Sequence, residues 1–154
     1  MALEDVFNFV RIDDRIITGG QPTQEQLEEC AAAGIKGVIN LAPHDPDNFA
    51  LPGESETVAE LGMAYVNIPI PFDDPQPAHY AAFCDAMDEL AGQKVLVHCA
   101  ANFRVSALMS SWAMANLDWS QEQADALVTG IWESHPDYSM NDVWQSFIDG
   151  IRAG

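Results

Sequence analysis

The sequence predicts an α/β domain built on a mostly parallel sheet. Three observations carry that prediction. Short apolar runs at 37–41 and 94–98 read as strands covered on both faces. Longer helical stretches alternate with them, the pattern of βαβ units. The composition is globular, with 48% hydrophobic and 19% charged residues over 154 positions. That is the length of a single domain, 1–154, with a core of its own.

The elements follow in order. Residues 7–12 and 15–18 read as short strands around a turn at Asp13 and Asp14. Gly19-Gly20-Gln21-Pro22 breaks the pattern. Thr23 and Gln26 have capping-box spacing, so a helix runs from there to Ala33 and stops at Gly34. A strand at 37–41 and a proline-containing loop at 42–53 come next, then a helix over 55–61 ending at Gly62. Residues 65–70 form the next strand. The segment after it, Pro69 to Pro77, is irregular because its prolines supply no N–H. A helix over 78–91 leads to the strand 94–98, whose consecutive apolar residues place it in mid-sheet. Helices over 104–117, 120–134 (capped by Ser120 with Gln123) and 141–152 complete the chain and cover one face. Trp112, Trp119, Trp132 and Trp144 are expected to pack them together.

Charge narrows the function. Six Lys and Arg against 24 Asp and Glu leave a net charge of −18. Nucleic acid is excluded as a partner, since too few cations exist to neutralise phosphates. An anionic membrane surface is excluded on the same ground. No apolar run is long enough for a membrane span, and Glu4 and Asp5 stand where a signal peptide carries cations. A cytoplasmic, acidic, soluble monomer is expected. Cys30, Cys84 and Cys99 are an odd number at wide spacing, so neither a disulfide framework nor a zinc site is expected. Cys30 and Cys84 fall inside helical patterns and read as core.

Cys99 falls elsewhere, between the end of a buried strand and the start of a helix. Ligands of open α/β sheets bind at the carboxyl ends of strands. Free N–H groups and the helix dipole there favour both a thiolate and an anion. This is equipment for nucleophilic attack on phosphorus or sulfur.

The stretch Val97-His98-Cys99-Ala100-Ala101-Asn102-Phe103-Arg104-Val105-Ser106 resembles the signature loop of cysteine-dependent phosphatases of the tyrosine and dual-specificity type. In that family His-Cys is followed by five residues, Arg, and Ser or Thr. Residues 17–23, 34–41 and 65–69 are similar to a compact bacterial phosphatase-like branch. The resemblance implies a Cys99 nucleophile and a phosphocysteine intermediate. It implies that the backbone of Ala100, Ala101, Asn102, Phe103, Arg104 and Val105 holds phosphate oxygens with the Arg104 side chain, and that Ser106 assists the leaving thiolate. His98 would order the loop. An Asp on a separate loop would act as general acid, and Asp73, which follows Phe72, fits better than Asp74, which precedes Pro75. Gln21 would border the site. No metal or organic cofactor is implied, and the substrate is a phosphorylated small molecule or phosphoprotein.

The chain departs from the family at two places. Asn102 holds the usual glycine position, which requires φ > 0. Val105 holds the place of the signature arginine, and Arg104 comes one residue early, a turn of about 100° on a helix. Two other readings therefore stand beside the phosphatase. Rhodanese-like sulfurtransferases have Cys, four residues, then Arg, the spacing of Cys99 and Arg104, although Ser or Thr directly follows that Arg. A non-catalytic phosphate-binding domain is the third. His44, His79 and His135 carry no assignment.

Overall fold

A computed structural model describes residues 3–43, 51–134 and 140–153. Five strands form one sheet in the order β1-β2-β5-β3-β4. They are β1 (Val10–Arg11), β2 (Ile16–Gly19), β3 (Ile35–Asn40), β4 (Ala64–Asn67) and β5 (Lys94–His98). β5 is central, parallel to β2 on one side and to β3 on the other, and β4 extends the parallel array. Only β1, at the edge, is antiparallel. The helices are α1 (Gln24–Ala32), α2 (Glu54–Glu60), α3 (Pro77–Glu89), α4 (Phe103–Asn116), α5 (Gln121–Trp132) and α6 (Asp142–Ala153).

Local chemistry accounts for most boundaries. The Thr23 hydroxyl accepts from the Gln26 N–H at 3.1 Å, and the Gln26 side chain accepts from the Thr23 N–H at 2.9 Å. Ser120 and Gln123 repeat the arrangement at α5. Asp13 Oδ1 accepts from the N–H groups of Arg15 and Ile16, closing the expected turn. The first strand is shorter than expected. Asn8 takes φ 52° and the Phe9 N–H turns back to the Val6 carbonyl, so pairing is confined to Val10–Arg11. β4 stops at Asn67 because Pro69 interrupts the donors, although Ile68 and Ile70 still bond to the Asn40 and Leu41 carbonyls. Pro77 sits in the first turn of α3, where its missing N–H costs nothing.

Alternate strand residues supply the two cores. Ile17, Val38 and Leu96 pack with Leu27, Cys30 and Val58 of α1 and α2. Ile16, Ile39, Val95 and Val97 pack on the opposite face under α3 to α6. The three C-terminal helices share one face as expected, and α3 joins them. Trp112, Trp132 and Trp144 are buried there. No helix among the described residues is long and apolar enough to cross a membrane.

Candidate functional site

The carboxyl end of β5 is the convergence point. His98 is its last residue, Cys99 follows, and both are fully buried. The chain then turns through Ala100 and Ala101 to Asn102 and enters α4 at Phe103. Asn102 has φ 71°, the left-handed conformation expected where the signature has glycine. Its side chain makes up for the absent glycine by donating to the Asn8 carbonyl at 2.8 Å and to Thr18 Oγ1 at 3.2 Å. Asn8 answers by donating through Nδ2 to the Ala101 carbonyl at 2.9 Å. The N–H of Gln21 bonds the Ala100 carbonyl at 3.0 Å. Gly20 allows this approach, since a Cβ there would lie 2.6 Å from the Ala100 carbonyl oxygen. Two long-range clamps thus hold the loop shape. Asn102→Ala is expected to cost about 1–3 kcal/mol, from the left-handed backbone and the lost bonds. Asn102→Gly, which restores the backbone freedom, should cost less, and urea melts of the pair check the order.

The second element is a buried acid beside His98. Glu54, the first residue of α2, has no exposed surface. Its Oε2 lies 2.7 Å from His98 Nε2, and Gln21 Nε2 donates to its Oε1 at 2.6 Å. His98 Nδ1 lies 3.2 Å from the Cys99 carbonyl oxygen. Both atoms facing the ring are acceptors when Glu54 is ionised, so each contact is a hydrogen bond only where that nitrogen carries a proton. Tyr65 lies beside the same carboxylate and accepts from Asn40 Nδ2 at 3.0 Å. Burial pushes the Tyr65 hydroxyl up to about 12, with the Glu54 charge adding to the effect.

Arg104 and Val105 have different surroundings. Val105 is fully buried and belongs to the core under α4. Arg104 is half-buried, with its Cζ 5.2 Å from the centroid of the Phe72 ring. Its Nε is buried and has no hydrogen-bond partner among the described residues. The Ser106 hydroxyl is turned into α4, donating to the Phe103 carbonyl at 2.8 Å and accepting from Trp132 Nε1 at 3.2 Å. In this state it is committed to bonds inside the helical layer.

Phe72 ties the acid loop to the same region. Its ring stacks with Trp132 at 5.8 Å and tilts against Phe103 and Trp144 at 6.4 and 5.6 Å. Its carbonyl accepts from Trp144 Nε1 at 2.7 Å. The next residue, Asp73, is exposed and has no hydrogen-bond partner among the described residues. Asp74 is exposed too, but it accepts from Gln76 Nε2.

The structure therefore brings His98, Cys99, the loop 100–106, Arg104 and Gln21 together, and it hangs Asp73 from a residue that touches Arg104. It holds Cys30 apart in the opposite core, where burial pushes the thiol up to about 12. His79 caps α3 by accepting from the Gln76 N–H, while His44 and His135 lie outside the described residues. Sequence reasoning missed Asn8 and Glu54. Glu54 is one of 24 acidic residues, and only its place at a helix start after a glycine distinguishes it. Asn8 had no local signal, since its partners lie more than ninety positions away.

Comparison with known proteins identifies the family and the fold. Residues 5–136 match a family described as DSP-PTPase phosphatase fused to NAD+ kinase. A DUF442 phosphatase candidate from Shewanella putrefaciens CN-32 superposes with a TM-score of 0.87 at 28% identity, over 98% of this chain and 95% of that one. Tk-PTP in its active form superposes with a TM-score of 0.76 at 21% identity, over 94% and 96% of the two chains. A beta-lactamase hydrolase-like protein of Agrobacterium fabrum is 32% identical over 102 residues, 64% of this chain and 23% of that protein. A protein of the same description from Xylella fastidiosa is 27% identical over 120 residues, 77% of this chain and 28% of its own. The chain thus spans about a quarter of the length of these curated relatives.

Proposed function

Because the chain belongs to the family of DSP-PTPase phosphatase domains described as fused to NAD+ kinase, we propose that it hydrolyses phosphomonoesters through a phosphocysteine on Cys99. The observation that carries this reading is a cysteine directly after the central strand, before a turn through left-handed Asn102, with an arginine whose buried Nε has no partner among the described residues.

In the first step Cys99 attacks phosphorus as the thiolate, an S–P bond forms and the ester P–O bond breaks. The leaving oxygen takes the proton of Asp73. In the second step water attacks phosphorus, the S–P bond breaks, and the Asp73 carboxylate accepts the water proton as inorganic phosphate leaves. The loop N–H groups and Arg104 hold the non-bridging oxygens, where charge-assisted hydrogen bonds are strongest. Glu54 and His98 act through the Cys99 carbonyl, keeping the sulfur aimed at the loop. Asp73 is preferred to Asp74 because the Asp74 carboxylate is already engaged by Gln76. Leaving-group protonation by such an acid is worth about 10²–10⁴ in rate. The substrate is a phosphorylated small molecule or phosphoprotein, and no metal or organic cofactor takes part.

The test is hydrolysis of p-nitrophenyl phosphate by the wild-type protein and by Cys99→Ser, near pH 6 and at high salt. Turnover by wild type that vanishes in Cys99→Ser is the expected result. Turnover unaffected by the substitution would remove Cys99 from the mechanism. No turnover by either protein, with vanadate still raising the melting temperature, would point to a phosphate-binding domain. Faster thiosulfate:cyanide turnover than phosphoester turnover would favour sulfur transfer, which the spacing of Cys99 and Arg104 also permits.

A further inference from the structure

The chain has six lysines and arginines, and all six lie within the described residues. Their placement can be followed one by one. Arg15 leads into β2 and donates to the Leu90 and Gln93 carbonyls, at the amino edge of the sheet. Lys36 is the second residue of β3 and Lys94 the first of β5, at the same edge. Arg11 lies on the edge strand and pairs with Glu4 at 3.6 Å. Arg152 lies on α6 and pairs with Asp125. Arg104 alone stands at the carboxyl edge, in the first turn of α4 that follows Cys99. Around that edge the first turns of α1 and α2 present exposed Glu25 and Glu56, and the loop after β4 presents exposed Asp73 and Asp74.

A phosphate monoester brings up to two negative charges to this site. The loop N–H groups and one guanidinium are there to receive them. Any further phosphate on the same molecule would find no second lysine or arginine at this edge, in a chain of net charge −18. From this distribution we infer that the site takes a single phosphomonoester group carried by a neutral or cationic molecule and turns away polyphosphorylated ones. The inference rests on the phosphatase reading and sharpens it to a substrate class. The field of the whole chain works in the same direction, because a surface of one sign raises the local concentration of opposite-sign ligands and lowers that of like-sign ones.

The experiment uses two phosphopeptides of the same central sequence, one flanked by lysines and one by glutamates, with inositol hexakisphosphate as a competitor. In about 20 mM salt, kcat/KM for the lysine-flanked peptide should exceed that of the glutamate-flanked one by about tenfold or more. The ratio should fall toward one near 0.5 M salt, where the Debye length is only about 4 Å. Neutralising the rim by Glu25→Gln with Glu56→Gln should narrow the low-salt gap severalfold, and inositol hexakisphosphate should compete poorly. Equal turnover of the two peptides at low salt, or tight competition by the hexakisphosphate, overturns the inference while leaving the phosphatase reading intact. If wild type hydrolyses neither the peptides nor p-nitrophenyl phosphate, the phosphatase reading fails, and fluorescence anisotropy of both peptides on Cys99→Ser then decides the recognition. Tighter binding of the lysine-flanked peptide sustains the charge preference, and equal binding overturns it.

Discussion

Val105→Arg, which puts an arginine where the phosphatase signature has one, is expected to unfold the protein rather than to improve its catalysis. Val105 has no exposed surface and packs among the α4 to α6 core residues. A guanidinium there would leave water with no carboxylate to meet it, at a cost of several kcal/mol. That is a large part of the roughly 5–15 kcal/mol that holds a domain of this kind together. The companion change, Arg104→Gln, should leave the fold nearly intact, losing about 0.5–1 kcal/mol of contact between the guanidinium and Phe72. Its effect should appear in kcat/KM, lower by about ten- to a hundredfold, as one charge-assisted contact to phosphate is worth about 1.5–3 kcal/mol. Urea titration and steady-state kinetics on both variants check the pair. A stable, more active Val105→Arg protein would mean that position 105 faces the phosphate after all. An Arg104→Gln enzyme as active as wild type would remove Arg104 from the site.

Glu54→Leu is the second large effect. The Glu54 carboxylate and the His98 ring are both fully buried and 2.7 Å apart. Removing one partner of such a pair typically costs about 3–5 kcal/mol, because the other is left without its counterpart. Gln21 and Tyr65 would lose an acceptor at the same time. The double variant with His98→Leu should be distinctly less destabilised than the sum of the two single ones, the mark of residues that act together. Glu54→Gln separates stability from function. It keeps the volume and an acceptor for His98, so the fold should survive while the Cys99 carbonyl is held less firmly. The expected readout is a lower kcat with little change in KM. Additive losses in the double variant, or an unchanged kcat in Glu54→Gln, would show that Glu54 only fills space.

Much of the architecture was legible because its causes are local. Thr23 with Gln26 and Ser120 with Gln123 bond within one helical turn, and the structure shows both boxes closed. The apolar run of β5 could only be central, and it is. The φ > 0 demanded at Asn102 is likewise a property of one residue and its signature position. What stayed hidden depends on contacts across the chain. The length of β1 is set by Asn8, whose turn is stabilised by a loop that arrives some ninety residues later. Glu54 differs from the other acidic residues only in being buried against His98, a fact of tertiary packing. The direction of Arg104 follows from where α4 begins, since a helix entered at Phe103 turns residue 105 to the core and residue 104 to Phe72.

The complete burial of Cys99 bears on the life of the protein in an oxidising world. Thiolates that serve as nucleophiles are also those that peroxides convert to sulfenic and then irreversible higher acids, and their susceptibility follows exposure as well as charge. Here the sulfur has no surface open to solvent. On the phosphatase reading, a phosphate whose oxygens take up the loop N–H groups and Arg104 has a grip by which to reach that sulfur. A small oxidant has no such grip. On that reading the burial of Cys99 confines oxidative damage to the moments when the site is engaged, where an exposed thiol would accumulate it throughout.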